Sequence, residues 1–264
     1  MPVDDPDDPR LADYRNLPDA RRQARRETFI AEGRLIVAQL LGAPRFQVRS
    51  VLATPATVAS LGASLDGCEA PVYVARPAML ARVVGFHFHR GCLAAGERPP
   101  ELGIEPLVAP GGRRLLVGLE GVTNPDNVGG VFRNARAFGA DGVLLGPGCA
   151  DPLYRRALRV SMGAALETPF ASVADWTVGI ARLRAAGFRV AAFTRDRDAL
   201  DVAACAPPPR LVLLFGAEGD GLADTTRAAC DIQLRIAMAA GIDSLNVATA
   251  AGIALHRLRA CGSG

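Results

Sequence analysis

Short apolar segments alternate with segments of helical spacing along most of the chain. After residue 112, for example, the apolar segment RRLLVGLEGV precedes a helical pattern over residues 126–138, and the apolar segment DGVLLGP follows it. Short apolar runs bounded by glycine or other turn residues are typical of buried strands. Strands that alternate with helices in this way predict an α/β fold.

One stretch interrupts this alternation. Residues 96–112, GERPPELGIEPLVAPGG, contain four prolines and four glycines. So many turn residues without periodicity predict a linker, which we place at residues 98–112. Residues 10–97 then form a small α/β domain, and residues 113–264 form a larger one. The acidic, proline-rich start of the chain, residues 1–9, predicts a disordered tail.

All 30 basic residues are arginine, and lysine is absent from the chain. The absence of lysine excludes a P-loop lysine, a Schiff-base lysine and a pyridoxal phosphate site. The simplest explanation of this composition is the general arginine bias of a GC-rich genome. The net charge of +3 neither favours nor excludes a polyanionic partner.

The cysteines and histidines indicate neither disulfides nor a metal site. The six cysteines form no CxxC pair, which predicts reduced thiols in a cytoplasmic protein. Three histidines, two of them in HFH, are a poor ligand set, so we expect no metal. The N terminus lacks the charge and apolar run of a signal peptide, and no apolar stretch approaches about 18 residues. We therefore expect no membrane partner.

Two unusual turns follow apolar strands and precede helices. In NPDNVGGVFR, Asp126 or Asn127 is predicted to cap a helix that carries Arg133. In LFGAEGDGL, Glu218 stands between glycines directly after a buried strand. Ligands of α/β sheets bind outside the carboxyl ends of strands, so this turn is a candidate binding loop. Its glycine spacing is not the G-x-G-x-x-G of dinucleotide-binding folds, which argues against a dehydrogenase.

A third turn, IAMAAGIDSLNV, leads into the last helix. Asp243 or Ser244 is predicted to cap this helix, with Asn246 in its first turn. All three turns thus place a polar side chain at the start of a helix.

Together these residues resemble a known family. NPDNVGGVFRNARAFG, LFGAEGDGL and RIAMAAGIDSLNVATAAG are similar, in order and spacing, to motifs one, two and three of the SpoU (TrmH-type) RNA ribose 2′-O-methyltransferases of the SPOUT superfamily. RVSMGAALETPF is similar to the family's Ser-x-Gly-Ala segment. The resemblance covers about residues 114–260. The first domain, through RRETFIAEGRLIVAQLL, resembles an L30e-like RNA-binding domain.

The resemblance implies a fold and a set of partners. The C-terminal domain is expected to have a mainly parallel sheet with a deep trefoil knot, which is a rare topology. Its loops are expected to bind S-adenosylmethionine, and the enzyme is expected to be a homodimer with the active site at the subunit interface. The substrate is expected to be tRNA or rRNA, and no DNA is expected.

The family's functional residues carry over onto matching positions. The implied catalytic residues are Arg133, Asn127, Glu218, Ser244 and Asn246. The implied cofactor-binding residues are Leu214, Gly216, Gly219, Ile236, Met238 and Leu245. In this scheme the motif-one arginine activates the ribose hydroxyl. An arginine side chain has a pKa above about 12, so it could instead bind phosphate and stabilise alkoxide charge.

Three positions depart from the family pattern. Ala237 stands where proline is usual, Ala248 where serine is frequent, and Gly130 where alanine is common. None of them is an implied catalytic residue, so we expect an active enzyme.

Two arginine clusters are candidates for RNA binding. The first has helical spacing and the second follows motif one; their members are Arg21, Arg22, Arg25, Arg26, Arg155, Arg156 and Arg159. Arginine suits phosphate contacts, although a solvated helix face explains such clusters too. Two other functions remain open: a SPOUT enzyme that methylates a base, and a catalytically silent RNA-binding protein.

Overall fold

The apolar segments of the sequence form strands, and the segments of helical spacing form helices. The computed structural model describes residues 1–15, 17, 27–86 and 88–259. The chain divides into two compact units, the first made of residues 1–100 and 151–166, and the second of residues 101–150 and 167–264.

The first hundred residues supply a four-stranded sheet and its helices. In chain order the elements are β1 (Thr28–Glu32), α1 (Arg34–Leu41), β2 (Val48–Ala53), α2 (Pro55–Leu61), β3 (Val72–Val74), α3 (Pro77–Val84) and β4 (Cys92–Glu97). The strand order is β1-β4-β2-β3, with β4 antiparallel to both neighbours and β2 parallel to β3. The L30e-like character of this unit stays a prediction.

The rest of the chain supplies a seven-stranded sheet. In chain order the elements are α4 (Glu105–Val108), β5 (Arg114–Leu119), α5 (Pro125–Ala137), β6 (Gly142–Leu145), α6 (Arg155–Val160), α7 (Ala164–Glu167), β7 (Phe170–Ser172), α8 (Trp176–Ala185), β8 (Arg189–Phe193), β9 (Leu200–Asp201), β10 (Arg210–Phe215), α9 (Asp224–Ala229), β11 (Ile232–Arg235) and α10 (Val247–Leu258). The strand order is β7-β6-β5-β10-β8-β11-β9, and every pair is parallel.

The larger sheet positions the predicted motifs at one edge. Because all its strands are parallel, their carboxyl ends lie on the same side of the sheet. The turns after β5, β10 and β11, which carry the three motifs, therefore emerge on the same side of the sheet, with the end of β8 between the last two. The predicted α/β fold with a mainly parallel sheet is confirmed, and the trefoil knot stays a prediction.

The prediction of a disordered N-terminal tail is wrong. The backbone N–H of Val3 donates to the carbonyl of Val74 over 3.0 Å, and Val74 N–H donates to the carbonyl of Met1 over 2.9 Å. Val3 is buried in the core of the first unit. Pairing with β3 offsets the ordering cost of this short acidic segment, and sequence periodicity does not reveal such a long-range contact.

The predicted linker is only partly irregular. Residues 105–108 form α4, and Ile104 and Leu107 are buried in the core of the second unit with Leu116 and Leu144. The apolar residues between the prolines are therefore part of a folded core.

The predicted helix DPLYRRALRVSMGAAL is two short helices. Met162 has φ of 53° and Gly163 has φ of 81°, which breaks the helical ladder between α6 and α7. In addition, α6 packs against β1, so residues 151–166 belong to the first unit although they lie between β6 and β7 in the sequence.

Within the described residues, no helix has the length and apolar character that a membrane crossing requires.

Candidate active site

The motif-one turn starts α5 directly after β5. Asn124, and not Asp126 or Asn127 as predicted, is the N-cap of this helix, because its side chain accepts the backbone N–H of Asp126 over 2.9 Å. Pro125 occupies the first helical position, where a missing N–H costs nothing. With the cap supplied by Asn124, the side chain of Asn127 is available for another contact.

The motif-two turn has a backbone that only glycine allows. Ala217 and Gly221 exchange two backbone hydrogen bonds of 3.1 and 3.0 Å, and Gly219 and Gly221 have φ of 92° and 76°. A Cβ on Gly216 would lie 2.0 Å from the carbonyl carbon of Gly221. The glycines thus permit a tight turn after β10 whose apex carries Glu218.

Asn246 joins all three motifs. It is the N-cap of α10, because its side-chain oxygen accepts the backbone N–H groups of Ala248 and Thr249 over 3.0 and 3.2 Å. Its amide nitrogen donates to Asn127 Oδ1 and to Glu218 Oε1, each over 2.8 Å. The prediction of Asp243 or Ser244 as the cap is wrong, and the cap is Asn246, which is also an implied catalytic residue.

The helices of motifs one and three lie against each other. Asn134 Nδ2 donates to the carbonyl of Ala248 over 2.7 Å, and a Cβ on Gly130 would lie 2.7 Å from the Cβ of Ala248. Gly130, one of the departures from the family pattern, therefore permits close approach of α5 to α10. This packing fixes Asn127 relative to Asn246.

An open cleft of about 1240 Å³ lies at the carboxyl ends of β8, β10 and β11. Five of the six predicted cofactor-binding residues line it: Gly216, Gly219, Ile236, Met238 and Leu245. The sixth, Leu214, is fully buried in the core and does not line the cleft. Phe193 and Phe215 also line it, and their rings stack with centroids 4.5 Å apart.

The sequence did not reveal the part of the cleft that follows β8. Thr194, Arg195, Asp196 and Arg197 line the cleft, and β8 lies between β10 and β11 in the sheet. The segment FTRDRD has no glycine pattern, and only the strand order shows that it lies between the other two loops.

Glu120 is a second residue that the sequence did not indicate. Its carboxylate accepts Thr226 Oγ1–H over 2.8 Å and the backbone N–H of Ala223 over 2.9 Å. These bonds join the end of β5 to the segment after the motif-two turn.

Two of the predicted catalytic residues are not part of the Asn246 network. Ser244 lines the cleft, but no described residue hydrogen-bonds its side chain. Arg133 is exposed on α5 and does not line the cleft, and no described residue forms a hydrogen bond or ion pair with it. The cleft of one chain therefore lacks the motif-one arginine.

The predicted RNA-binding arginines differ in their surroundings. Arg21, Arg22, Arg25 and Arg26 lie outside the described residues. Arg155 forms an ion pair of 2.7 Å with the buried Glu32, and its guanidinium lies over the ring of Phe86. Arg155 thus stabilises the first unit, whereas Arg156 is exposed and Arg159 is half-buried.

Neither metal chemistry nor thiol chemistry is indicated in the described part of the chain. It contains no group of three histidine, cysteine, aspartate or glutamate residues placed to hold a metal ion. The described cysteines are free, and burial raises the pKa of both Cys92 and Cys230 to about 12. A thiol with so high a pKa is a poor nucleophile at neutral pH.

The strands and loops that build the cleft lie within a stretch that matches a known family. Residues 114–256 match the SpoU rRNA Methylase family. The chain belongs to this family.

Relatives and solved structures agree with this assignment. The chain is 45% identical over 261 residues, or 96% of this chain and 90% of the relative, to an uncharacterized tRNA/rRNA methyltransferase of Mycobacterium bovis. It is 31% identical over 181 residues, or 67% of this chain and 73% of the relative, to the 23S rRNA (guanosine-2′-O-)-methyltransferase RlmB of Acinetobacter baylyi. The AdoMet-bound rRNA methyltransferase from Sinorhizobium meliloti has a TM-score of 0.85 at 25% identity, covering 98% of this chain and 97% of that one.

This SpoU protein is a methyltransferase, and its cofactor is S-adenosylmethionine. The cleft suits the chemistry of that molecule. Ile236, Leu245 and Phe215 offer an apolar surface for an adenine ring, and the glycine turn lets backbone groups approach it. Arg195 and Glu218 offer charges of both signs for an amino-acid group.

Proposed function

We propose that this enzyme methylates a ribose 2′-hydroxyl in tRNA or rRNA and that it acts as a homodimer. The junction formed by Asn246, Asn127 and Glu218 carries the proposal. It joins the three motifs of a 2′-O-methylating family in one hydrogen-bonded network beside the cleft. The relationship to a guanosine-2′-O-methyltransferase supports the same site of methylation.

For this methyl transfer, the protein has to orient the reacting groups and need not form a covalent bond to them. The cofactor supplies a methyl group that is already activated by a positively charged sulfur. A ribose hydroxyl is a poor nucleophile. As its oxygen bonds to the methyl carbon, the bond between that carbon and the sulfur breaks to release S-adenosylhomocysteine, and the hydroxyl proton passes to water. Groups that hold the hydroxyl in line and stabilise its developing negative charge therefore lower the barrier.

The residues of the site divide this work. Asn246 holds Asn127 and Glu218 in fixed positions next to the cleft. Arg133 binds the phosphate beside the target ribose and stabilises charge on the hydroxyl oxygen, because a guanidinium keeps its proton at neutral pH. Ser244, which lines the cleft, orients the substrate.

The position of Arg133 supports a homodimer. It lies outside the cleft of its own chain, and no described residue neutralises it. An active site completed by Arg133 of a second copy accounts for both facts. Met238, Ile242 and Ile253 are 36%, 55% and 39% exposed, and such apolar side chains suit a subunit interface.

The RNA is proposed to approach over arginine side chains. Arg156 and Arg159 lie on α6 with Arg155, which is itself paired with Glu32. Of this cluster, Arg156 is the most exposed and is the proposed phosphate contact. The cytoplasmic location stays a prediction.

A labelling experiment tests the site of methylation. The protein is incubated with labelled S-adenosylmethionine and total RNA from cells that lack its gene, and the digested RNA is separated into nucleosides. We expect label in a 2′-O-methyl nucleoside. Label on a base would favour the rival SPOUT reaction, and no transfer despite cofactor binding would favour the silent RNA-binding protein.

Two variants of α5 provide a matched pair for this assay. Arg133→Ala is expected to abolish the label. Arg136→Ala is expected to keep it, because Arg136 lies on the same helix and forms a surface ion pair with Glu167. Equal loss in both variants would contradict a specific role for Arg133.

Subunit mixing tests the homodimer. Arg133→Ala and Asn246→Ala are expected to be inactive alone. After unfolding and refolding as an equal mixture, half of the dimers are mixed, and each mixed dimer has one intact site. We expect about a quarter of the wild-type activity from the two-fold symmetry of such a dimer. No recovery would mean that Arg133 acts within its own chain.

A further inference from the structure

The loop after β8 places an arginine side chain in the cleft, and none of the three motifs gives this arginine a role. The four arginines that line the cleft are Arg195, Arg197, Arg227 and Arg235. They have different partners, and these partners determine which of the four could hold an anionic ligand.

Two of the four arginines are already neutralised. Arg227 forms an ion pair of 2.8 Å with Asp224. Arg235 donates to the carbonyl of Ala199 and lies 3.8 Å from a carboxylate oxygen of Asp201. Neither has its full charge available for a ligand.

The other two lack a carboxylate partner among the described residues, and they differ in how they are held. Arg195 Nη2 donates to the carbonyl oxygen of Gly219 over 2.8 Å. Arg197 has no hydrogen-bond partner among the described residues. Of the described arginines in the cleft, Arg195 alone is both fixed by the fold and without a neutralising carboxylate. A fixed cation loses less conformational entropy when it binds an anion.

The charge of Arg195 complements the anionic end of S-adenosylmethionine, and its loop contributes to the same cleft as the apolar residues. The apolar residues of the cleft, Ile236 and Leu245, come from the motif-three loop, and Gly216 comes from the motif-two turn. The loop of Arg195 follows β8, which lies between the strands that lead into those segments. The only anionic group of the cofactor is the carboxylate of its amino-acid end.

We propose that Arg195, fixed by the carbonyl of Gly219, binds the carboxylate of the amino-acid end of S-adenosylmethionine. One of its five N–H groups is used by Gly219, and the others are available for the planar contact that guanidinium and carboxylate groups form. The same bond holds the motif-two turn, so Arg195 couples cofactor binding to the position of Glu218.

The proposal rests on the cofactor and not on the site of methylation in RNA. Its test therefore uses no RNA, and its failure is separate from a failure of the 2′-O assignment. Binding is measured by calorimetry for two ligands, S-adenosylhomocysteine and 5′-methylthioadenosine. The second keeps the adenosine and the sulfur and lacks the amino-acid end.

The expected result is a selective loss. Arg195→Ala should lower the affinity for S-adenosylhomocysteine about tenfold. This loss is at the low end for a hydrogen bond between charged groups, as expected for an exposed side chain. The affinity of the variant for 5′-methylthioadenosine should stay within error. Arg195→Lys should recover part of the loss, because it keeps the charge without the planar fork.

Arg182→Ala is the matched control, because it removes the same charge from an exposed position of the second unit that does not line the cleft, where Arg182 pairs with Glu105. It should change neither affinity. If Arg195→Ala lowered the affinity for both ligands equally, the proposal would be overturned, and Arg195 would only maintain the shape of the motif-two turn. No change in the affinity for either ligand would also overturn it.

Discussion

Replacing Asn246 should damage both the fold and the site, and the two effects can be separated. Asn246→Ala removes the N-cap of α10, which costs about 1 kcal/mol. It also removes the donor to Asn127, a residue that is only 7% exposed. A buried acceptor without a partner costs about 1 to 3 kcal/mol, so we expect a total near 3 kcal/mol. Loss of the bond to the exposed Glu218 adds little, because water replaces it.

Asn246→Ser separates the two contributions. Serine caps helices as well as asparagine, but its short side chain cannot reach Asn127 or Glu218. We therefore expect Asn246→Ser to recover about 1 kcal/mol relative to Asn246→Ala. Methyl transfer should fall at least about tenfold in both variants, because both leave Glu218 unfixed.

Tryptophan fluorescence can measure the unfolding of the second unit, which contains Asn246. The single tryptophan of the chain, Trp176, is buried in the core of the second unit. Its signal during urea unfolding reports that unit, and the two-unit chain need not unfold in one step. Asp175→Ala, which removes the N-cap of α8 in the same unit, should lower the midpoint without reducing methyl transfer. If Asn246→Ser matched the wild type in stability and activity, Asn246 would be a helix cap and nothing more.

Three further predictions concern glycines and a thiol. Gly216→Ala should abolish cofactor binding in calorimetry, because its Cβ would lie 2.0 Å from the backbone of Gly221. Gly130→Ala should destabilise the second unit by about 1 to 3 kcal/mol in the Trp176-detected assay, because its Cβ would lie 2.7 Å from a methyl carbon; an unchanged midpoint would refute this. Burial raises the pKa of the Cys92 thiol from 9.0 to about 12, so the unfolded chain loses that proton first as pH rises. The free energy of unfolding should therefore fall between pH 9 and 12, and less steeply in Cys92→Ala.

Most elements could be predicted from the sequence because their apolar spacing is strong. The apolar strands and the helices α5, α8 and α10 lie where their patterns placed them, and the motif order located the cleft. The residues that cap the helices were harder to predict. DSLN offers Asp243, Ser244 and Asn246, all good capping residues, and only the packing of α10 on α5 selects among them.

Long-range partners were not predictable from local pattern. The pairing of Val3 with Val74 joins segments 71 residues apart, and nothing in either segment indicates the other. Arg195 follows an ordinary strand in FTRDRD and has no motif around it. Its importance depends on strand order, which places β8 between β10 and β11.

The assignment of residues 151–166 to the first unit has a consequence for synthesis on the ribosome. The strand β1 is made early, but α6, which packs on it, emerges only after β5, α5 and β6 of the second unit. During that interval the buried carboxylate of Glu32 has Arg90 as an ion-pair partner but lacks its second partner, Arg155. The first unit therefore cannot complete its fold before the second has begun, and a nascent chain stopped at residue 100 should remain dependent on chaperones.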